Sequence, residues 1–325
     1  MKSNVVEVKP NDVVPEVTQE QKIALNFFLS TGGLGDYVAR LPAIKYVMEN
    51  ASHIEKALIV CPEFFVPLAN NALAKFAGRL TAVKEASNFY PIMETNEQFH
   101  STIRTHVTDH AFHLLADMHP ENNEQRNYLP LDLSDVTSPL DYPGRYAVIT
   151  TGYTAKAREW LPEQVNAVTK YLRFKYGIMP VFLGKHGVAV GLKGEFNEEI
   201  DYDFGINLID KTTLLEAAKI MSGAQLVIGL DNGLLHVAAM TDVPIIAGYS
   251  SIDPKYRLPY RHGEQGWNCE VIVPTTPCRF VQTRGFLRFG VDFRECDCGD
   301  YRCLKSMKPS FWLKAIDRVL AKKDK

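Results

Sequence analysis

Four groups of side chains in this sequence have residue types and spacings that could do chemistry. The first is the turn Gly32-Gly33-Leu34-Gly35 with Asp36 directly behind it. Glycines between a strand end and a helix start let the backbone approach a ligand closely. A carboxylate at that edge could accept the proton of a substrate hydroxyl, or it could simply cap the helix; residue type and spacing fit both. The glycines do not follow G-x-G-x-x-G, so dinucleotide binding gains little support. The second group is Gly229-Leu230-Asp231-Asn232-Gly233 with His236 three residues on. Free amides and the helix dipole at such a start favour an anion such as a phosphate, and His236 in the first turn could donate to a ligand oxygen. Asp-Asn-Gly is equally a turn signal, and the histidine could equally face a core. Third come Thr150 and Thr151 with Lys156 and Arg158, hydroxyls and cations suited to a diphosphate, although isolated basic residues in a loop are often only solvated. The fourth is a cysteine cluster, Cys278, Cys296, Cys298 and Cys303, within 26 residues of chain.

The surrounding pattern supplies the elements that would position these groups. Ile23–Leu29 is an apolar run of buried-strand length, and Asp36 to about Met48 reads as a helix. Residues 57–61 form a second strand. Helical periodicity recurs at 66–78 and 100–117, and 119–143 is rich in loop residues. From Tyr146 the alternation is regular: strand 146–150, a helix with Pro162 in its first turn and Gly177 at its C-cap, strand 180–184 and a short strand 206–209. Thr213 and Glu216 then form a capping box, followed by strand 225–230, helix 234–241 and strand 244–249. Strand–helix alternation of this kind implies parallel sheets covered by helices. We expect an extended arm over 1–22, a first doubly wound domain over 23–143, a second over 144–308 that includes the cysteine segment 278–303, and a C-terminal helix over 309–325 capped by Ser310.

Composition narrows the class. The chain has 325 residues, 46% apolar and 23% charged, a length that suggests about two domains. Lys+Arg 36 against Asp+Glu 38 gives a net charge of −2, so bulk charge does not make it a polyanion binder. Its longest apolar runs are strand-sized, so no membrane span is expected, which leaves peripheral membrane contact open. The first 22 residues lack the apolar core of a signal peptide and are too acidic for a transit peptide, so a cytoplasmic location is expected.

Taken together, the first three groups resemble glycosyltransferase family 9, the ADP-heptose:lipopolysaccharide heptosyltransferases and their relatives. The family's Gly-Asp…Leu-Pro-Ala motif is matched by Gly35-Asp36 and Leu41-Pro42-Ala43, with Arg40 between them. Its Asp-Thr-Gly…His signature is matched by Asp231-Asn232-Gly233 and His236, and its Lys-x-Trp-Pro donor loop by Arg158-Glu159-Trp160-Leu161-Pro162. The resemblance implies an α/β protein of GT-B fold, two doubly wound Rossmann-like domains facing across a cleft. It also implies an inverting glycosyltransferase that needs no metal for catalysis. Asp36 would be the general base, with Gly32, Gly33, Gly35 and Arg40 on the acceptor-side loop. A nucleotide-sugar donor would lie against Thr150, Thr151, Lys156, Arg158, Asp231, Asn232, Gly233 and His236. The acceptor would be a glycan, a lipopolysaccharide core or another polymer, an acidic one or a nucleic acid included. Two departures matter: Asn232 stands for the usual Thr, and Arg158 stands where Lys is common. Two other readings stay in view. One is a non-catalytic nucleotide- or glycan-binding module on the same fold. The other is a retaining enzyme like the starch and glycogen synthases, although Ser30 replaces their Lys and no pair of glutamates eight apart accompanies Asp231.

The cysteine spacing, C-x-C then C-x4-C, is not a standard zinc ribbon, yet clustered cysteines in a cytosolic protein suggest a structural metal, zinc or iron, as readily as packed thiols. Some autotransporter heptosyltransferases of this family carry a metal finger in the region. Around the cysteines, residues 279–308 hold seven Lys/Arg (Arg279, Arg284, Arg288, Arg294, Arg302, Lys305, Lys308) against four acids, interleaved with Phe280, Phe286, Phe289 and Phe293. This patch could hold an acidic acceptor or be a solvated loop with aromatic anchors. His106, His110 and His113 share one helical face with the spacing i, i+4, i+7, which reads better as a polar face than as a metal site.

Overall fold

The apolar runs become strands of two separate parallel sheets. The computed structural model describes residues 23–29, 32–84, 105–186, 195–280, 296 and 298–323. The first sheet holds β1 (Ile23–Phe28), β2 (Ile54–Cys61) and β3 (Leu80–Lys84) in that order, each pair parallel. The second holds β4 (Tyr146–Thr150), β5 (Met179–Leu183), β6 (Ile206–Asn207), β7 (Val227–Leu230), β8 (Ile245–Gly248) and β11 (Cys269–Ile272). Its spatial order is β11-β8-β7-β4-β5-β6, all parallel. Between β8 and β11, β9 (Tyr260–Arg261) and β10 (Glu264–Gln265) pair antiparallel. Parallel strands need crossovers, and helices supply most of them here.

Helix α1 (Leu34–Asn50) is buried on all sides from Tyr37 to Ile44 and again at Met48, as a helix enclosed within the core must be. Around it lie α2 (Val66–Ala72) and α3 (Val107–Ala116). The second sheet is covered by α4 (Pro162–Tyr176), α5 (Leu214–Gly223) and α6 (Gly233–Ala238), followed by α7 (Arg302–Ser306) and α8 (Pro309–Lys323). Gly177 closes α4 in the left-handed conformation, as its position predicted. The Thr213/Glu216 capping box forms with both its hydrogen bonds, at 2.7 and 3.3 Å.

One apolar core runs unbroken from the first sheet through α1 into α5, α6 and the near face of the second sheet. A second core fills the far face, where Trp160 packs on Trp312 of α8 at 4.3 Å between ring centroids. No helix among the described residues is long and apolar enough to cross a membrane.

Several boundaries differ from the sequence reading. The 66–78 helix stops at Ala72 and continues as a single tight turn, because the chain must reverse at Gly78 (φ 90°) into β3. Edge strand β3 has no long apolar run and was not expected, nor was β11. Helix α3 begins at Val107, with His106 as its N-cap. Helix α8 begins at Pro309, which places Ser310 inside the first turn rather than at the cap.

Candidate active site

In the second sheet, the chain leaves β4 outward through β5 and β6, whereas β7, β8 and β11 build in the other direction. The order therefore reverses between β4 and β7, and a crevice opens there at the carboxyl ends of the strands. Thr150 and Thr151 end β4, and Asp231-Asn232-Gly233 follows β7. Opposite them, the first sheet sends β1 into the glycine turn and α1. The result is a cleft of about 530 Å³. One wall carries Gly33, Leu34, Gly35, Asp36 and Tyr37; the other carries Arg158, Lys185, Asp231, Asn232, Gly233, His236 and Arg257.

The starts of α1 and α6 touch across this cleft. A Cβ added to Gly233 would lie 2.6 Å from Leu34 Cβ, and one on Gly35 would lie 2.6 Å from His236 Cδ2. Both are far inside carbon contact distance, so only glycine permits the approach.

Asp36 is the third residue of α1, not its cap. Its Oδ2 accepts the Gly33 amide at 2.8 Å. It thus satisfies a helix-start donor while lining the cleft. Burial pushes its pKa up, but Arg257, Arg40, the Gly33 hydrogen bond and His236 outweigh that, and the carboxyl ends below its usual range. It is therefore a carboxylate at neutral pH.

His236 is buried, and its Nδ1 lies 2.8 Å from the Tyr128 hydroxyl. Burial lowers its pKa; Asp231 and Asp36 pull it back up, while Arg257 and Arg158 add to the fall, and the net shift is downward. Asp231 is buried too, with Arg158 Nη1 at 3.5 Å. Asn232 caps α6, its Oδ1 accepting the amides of Leu234 and Leu235 at 3.0 and 3.2 Å. Its Nδ2 donates to Thr150 Oγ1 at 3.0 Å. That gives the departure from Thr a physical account: the amide caps the helix with its oxygen and reaches back to β4 with a separate nitrogen, where a hydroxyl would have to do both through one atom.

The other expected residues stand elsewhere. Thr150 and Thr151 are buried behind the cleft wall, Thr150 against Asn232 and Thr151 beside Tyr202. Lys156 is half-exposed and paired with Glu159 at 2.5 Å, away from the lining. Arg40 is buried one turn along α1 and reaches Asp36 through its charge. Gly32 (φ 101°) sits directly behind the Asp36 side chain. Arg257, Lys185 and Tyr128 went unnoticed in the sequence. Arg257 lies four residues past Asp253-Pro254 in an ordinary loop, and nothing local marks it. Its Nη1 is buried without a hydrogen-bond partner among the described residues.

The three histidines do not act as one face. His106 lies outside the helix, its Nδ1 accepting the Thr108 amide at 3.2 Å and its Nε2 donating to Leu258 O at 2.9 Å. Burial holds its pKa down at about 4. His113 stacks on His119. The clustered cysteines come near one another without forming a site. The Cys298 thiol is raised first by a hydrogen bond with Cys278, and Cys303 is pushed up to about 11 by burial with Cys296 and Cys278 nearby. Among the described residues, no group of three or more His, Cys, Asp or Glu is arranged to hold an ion. Arg104, Ser30, Thr31 and most of the basic, aromatic patch, including Arg284, Arg288, Arg294, Phe286, Phe289 and Phe293, lie outside the described residues.

The family model for glycosyltransferase family 9 (heptosyltransferase) matches residues 76–283, more than half of the chain. That stretch takes in the loops after β4 and β7; the glycine turn and Asp36 precede it. Lipooligosaccharide heptosyltransferase 2 of Haemophilus influenzae is 31% identical over 102 residues, 28% of this chain and 30% of the relative, so the alignment spans about a third of that protein. Crystal structures similar to this one include the dodecameric iron-containing heptosyltransferase TibC in complex with ADP-D-beta-D-heptose, at TM-score 0.67, 16% identity, 93% of this chain and 77% of that one. The same protein has been solved from enterotoxigenic E. coli H10407. ADP-heptose lps heptosyltransferase II of E. coli matches at TM-score 0.62, 14% identity, 93% of this chain and all of that one. These structures share the fold, two parallel α/β halves in the GT-B arrangement. With signature loops at a reversal of strand order, a family match through them, and the same architecture in heptosyltransferases, the chain belongs to glycosyltransferase family 9.

Proposed function

We propose that this protein transfers a sugar from a nucleotide-diphosphate sugar to an acceptor hydroxyl in a single inverting displacement, with no metal needed in the cleft. The observation that carries the reading is Asp36, an ionised carboxylate on one cleft wall, directly opposite the donor-side loops of the other. In this mechanism the acceptor oxygen forms a bond to the anomeric carbon while Asp36 takes its proton. The bond from that carbon to the diphosphate oxygen breaks on the opposite face, and its electron pair leaves with the nucleotide diphosphate. Arg158, Lys185 and Arg257 supply positive charge to that leaving group without a divalent ion.

The donor class we favour is an ADP-heptose, the ligand in the TibC crystal, with a glycan such as a lipopolysaccharide core as acceptor. We place the reaction in the cytoplasm, where its six free cysteines would stay reduced. We further propose that Cys278, Cys296, Cys298 and Cys303 close around a structural zinc or iron when one is supplied, although no three of them stand arranged to hold an ion here. The Cys298 thiol is raised by its hydrogen bond with Cys278 and the Cys303 thiol by burial, and a bound dication would reverse both and stabilise the thiolates. TibC is described as iron-containing. None of the four lines the cleft, and no catalytic step runs through them.

Asp36→Asn tests the reading. It keeps the acceptor for the Gly33 amide but cannot take a proton. ADP binding by calorimetry should stay near wild type while transfer falls by roughly 10²–10⁴. A variant that still turns over an ADP-heptose donor at the wild-type rate would remove Asp36 from the base role.

A further inference from the structure

Residues 119–145 join the two sheets, and one side chain of this connection reaches the centre of the site. Tyr128 is 4% exposed and His236 5%, and the phenol oxygen lies 2.8 Å from Nδ1 with the rings roughly stacked at 5.8 Å. The backbone there is anchored as well: the Tyr128 amide donates to Tyr260 O at 2.9 Å, and Gly263 N donates to Asn127 Oδ1 at 2.8 Å. The phenol is therefore held in place by the second half of the molecule, on which His236 stands.

Two arrangements of the shared proton are open. Nδ1–H could donate to the phenol oxygen, leaving Nε2 a bare lone pair. Nε2 lies on the Gly35 side of the ring, 3.0 Å from where a Cβ on that glycine would sit, and the next residue is the Asp36 carboxylate. Nε2 would then have no proton to offer a ligand oxygen in the cleft that His236 lines. In the other arrangement the phenol donates to Nδ1, and Nε2 carries the proton. The Thr108 hydroxyl, buried near the phenol and without a hydrogen-bond partner of its own among the described residues, can donate to the phenol oxygen, which leaves the phenol's own proton for the imidazole.

We propose that Tyr128 is a positioning residue for His236. Its hydroxyl donates to Nδ1, fixes the ring as the Nε2–H tautomer and presents that N–H at the α1 turn as a neutral donor to an oxygen of the bound nucleotide-sugar. This rests on the reading of the cleft as a nucleotide-sugar site. Neutrality matters here. A histidine cation beside Asp36 would pair with the carboxylate and weaken it as a base, whereas a neutral Nε2–H orients substrate and leaves the charge on Asp36 untouched. The charged groups around the imidazole are Asp231 and Asp36 on one side of the balance, Arg257 and Arg158 on the other, and burial tips it to the neutral ring. Burial likewise keeps Tyr128 a protonated phenol, well above its ordinary pKa despite Arg257 nearby.

The test uses the full chain labelled with 15N-histidine, with Tyr128→Phe as the variant and His236→Gln to identify the resonances. Long-range proton–nitrogen spectra of the wild-type protein at neutral pH should show His236 as Nε2–H. Tyr128→Phe keeps the ring and its packing; it should give a mixture of tautomers and lower kcat roughly tenfold, with the donor KM changing much less. The proposal is overturned by an Nδ1–H ring in the wild-type protein, or by a Tyr128→Phe enzyme that retains either the wild-type tautomer or the wild-type kcat. The wild-type spectrum decides the tautomer even where the variant does not fold. It also does so where no sugar donor is turned over, an outcome that would refute the proposed activity and leave the tautomer to the spectrum.

Discussion

Replacing Gly35 by alanine adds one methyl group at the place where the two halves meet. That carbon would stand 2.6 Å from His236 Cδ2, 3.0 Å from Nε2 and 3.2 Å from Cγ. Carbon atoms in contact normally keep about 3.5–4.0 Å, so something must yield by roughly 1 Å. The imidazole cannot turn away freely, because Nδ1 is tied to Tyr128 at 2.8 Å. Either the ring gives up that hydrogen bond or the first turn of α1 withdraws, taking Asp36 with it. Overpacking of this kind costs about 1–3 kcal/mol, and the gain in helix propensity from Gly to Ala returns at most about 1 kcal/mol. We therefore expect a net destabilisation of about 1–2 kcal/mol, a fall in Tm of roughly 2–5 °C. A base displaced by about 1 Å should slow transfer by about 10²-fold. Thermal melts and initial rates on the purified variant provide the comparison. The double variant Gly35→Ala/His236→Ala isolates the cause: with the ring gone, the stability penalty of the methyl should vanish, a coupling of about 1–2 kcal/mol. If the two penalties simply add, or if Gly35→Ala melts and turns over like wild type, the contact between the helix starts is not what the structure describes.

Other expectations concern charge and metal. Arg257→Met should raise the pKa of Asp36 and move the acid limb of the kcat/KM profile to higher pH, whereas Arg257→Lys should leave it near its wild-type position; Arg40 and His236 continue to act on the carboxyl in both. His106 is held at about 4 in the folded protein against 6.5 for the free side chain, so protonation favours unfolding. Its contribution is complete above pH 6.5 and lost as the pH falls through 4, with a slope of at most about 1.4 kcal/mol per pH unit. Urea titrations from pH 7.5 to 4.5 should show that slope, flattened in His106→Gln. Elemental analysis of protein purified without chelator should find about one zinc or iron per chain, lost in Cys296→Ser/Cys298→Ser; metal-free wild-type protein with four titratable thiols in the cluster would refute the structural metal.

Much of the architecture was legible locally. Strands β4, β5, β7 and β8 are short apolar runs bounded by turns, and the caps at Gly177 and Thr213 form where the residue types indicated. Those features depend on neighbours a few residues away, which is the range over which periodicity and capping chemistry operate. Edge strands carry less of that signal, because only part of their surface is buried. Strand β3 accordingly escaped notice, its sequence Leu80-Thr-Ala-Val-Lys84 mixing buried and exposed positions. Lys156 has a fitting residue type near a fitting strand, but its charge is spent on Glu159 outside the cleft lining.

The sequence by itself determined that strands and helices alternate in two blocks, and that Asp36 and His236 each lie just inside a helix that follows a strand. It also carried the motif order through which the family is recognised. Only the tertiary structure decided that those two helix starts meet, that Gly35 is required by the ring of His236, and that Asp36 serves as both helix-start acceptor and cleft carboxylate. It alone brought Tyr128 to a histidine 108 residues away and set Arg257 near Asp36. The reason is physical. Caps and turns are written in adjacent residues, whereas the ionisation of a buried carboxylate and the tautomer of a buried imidazole depend on whatever charges and donors folding places around them, and no local pattern encodes those neighbours.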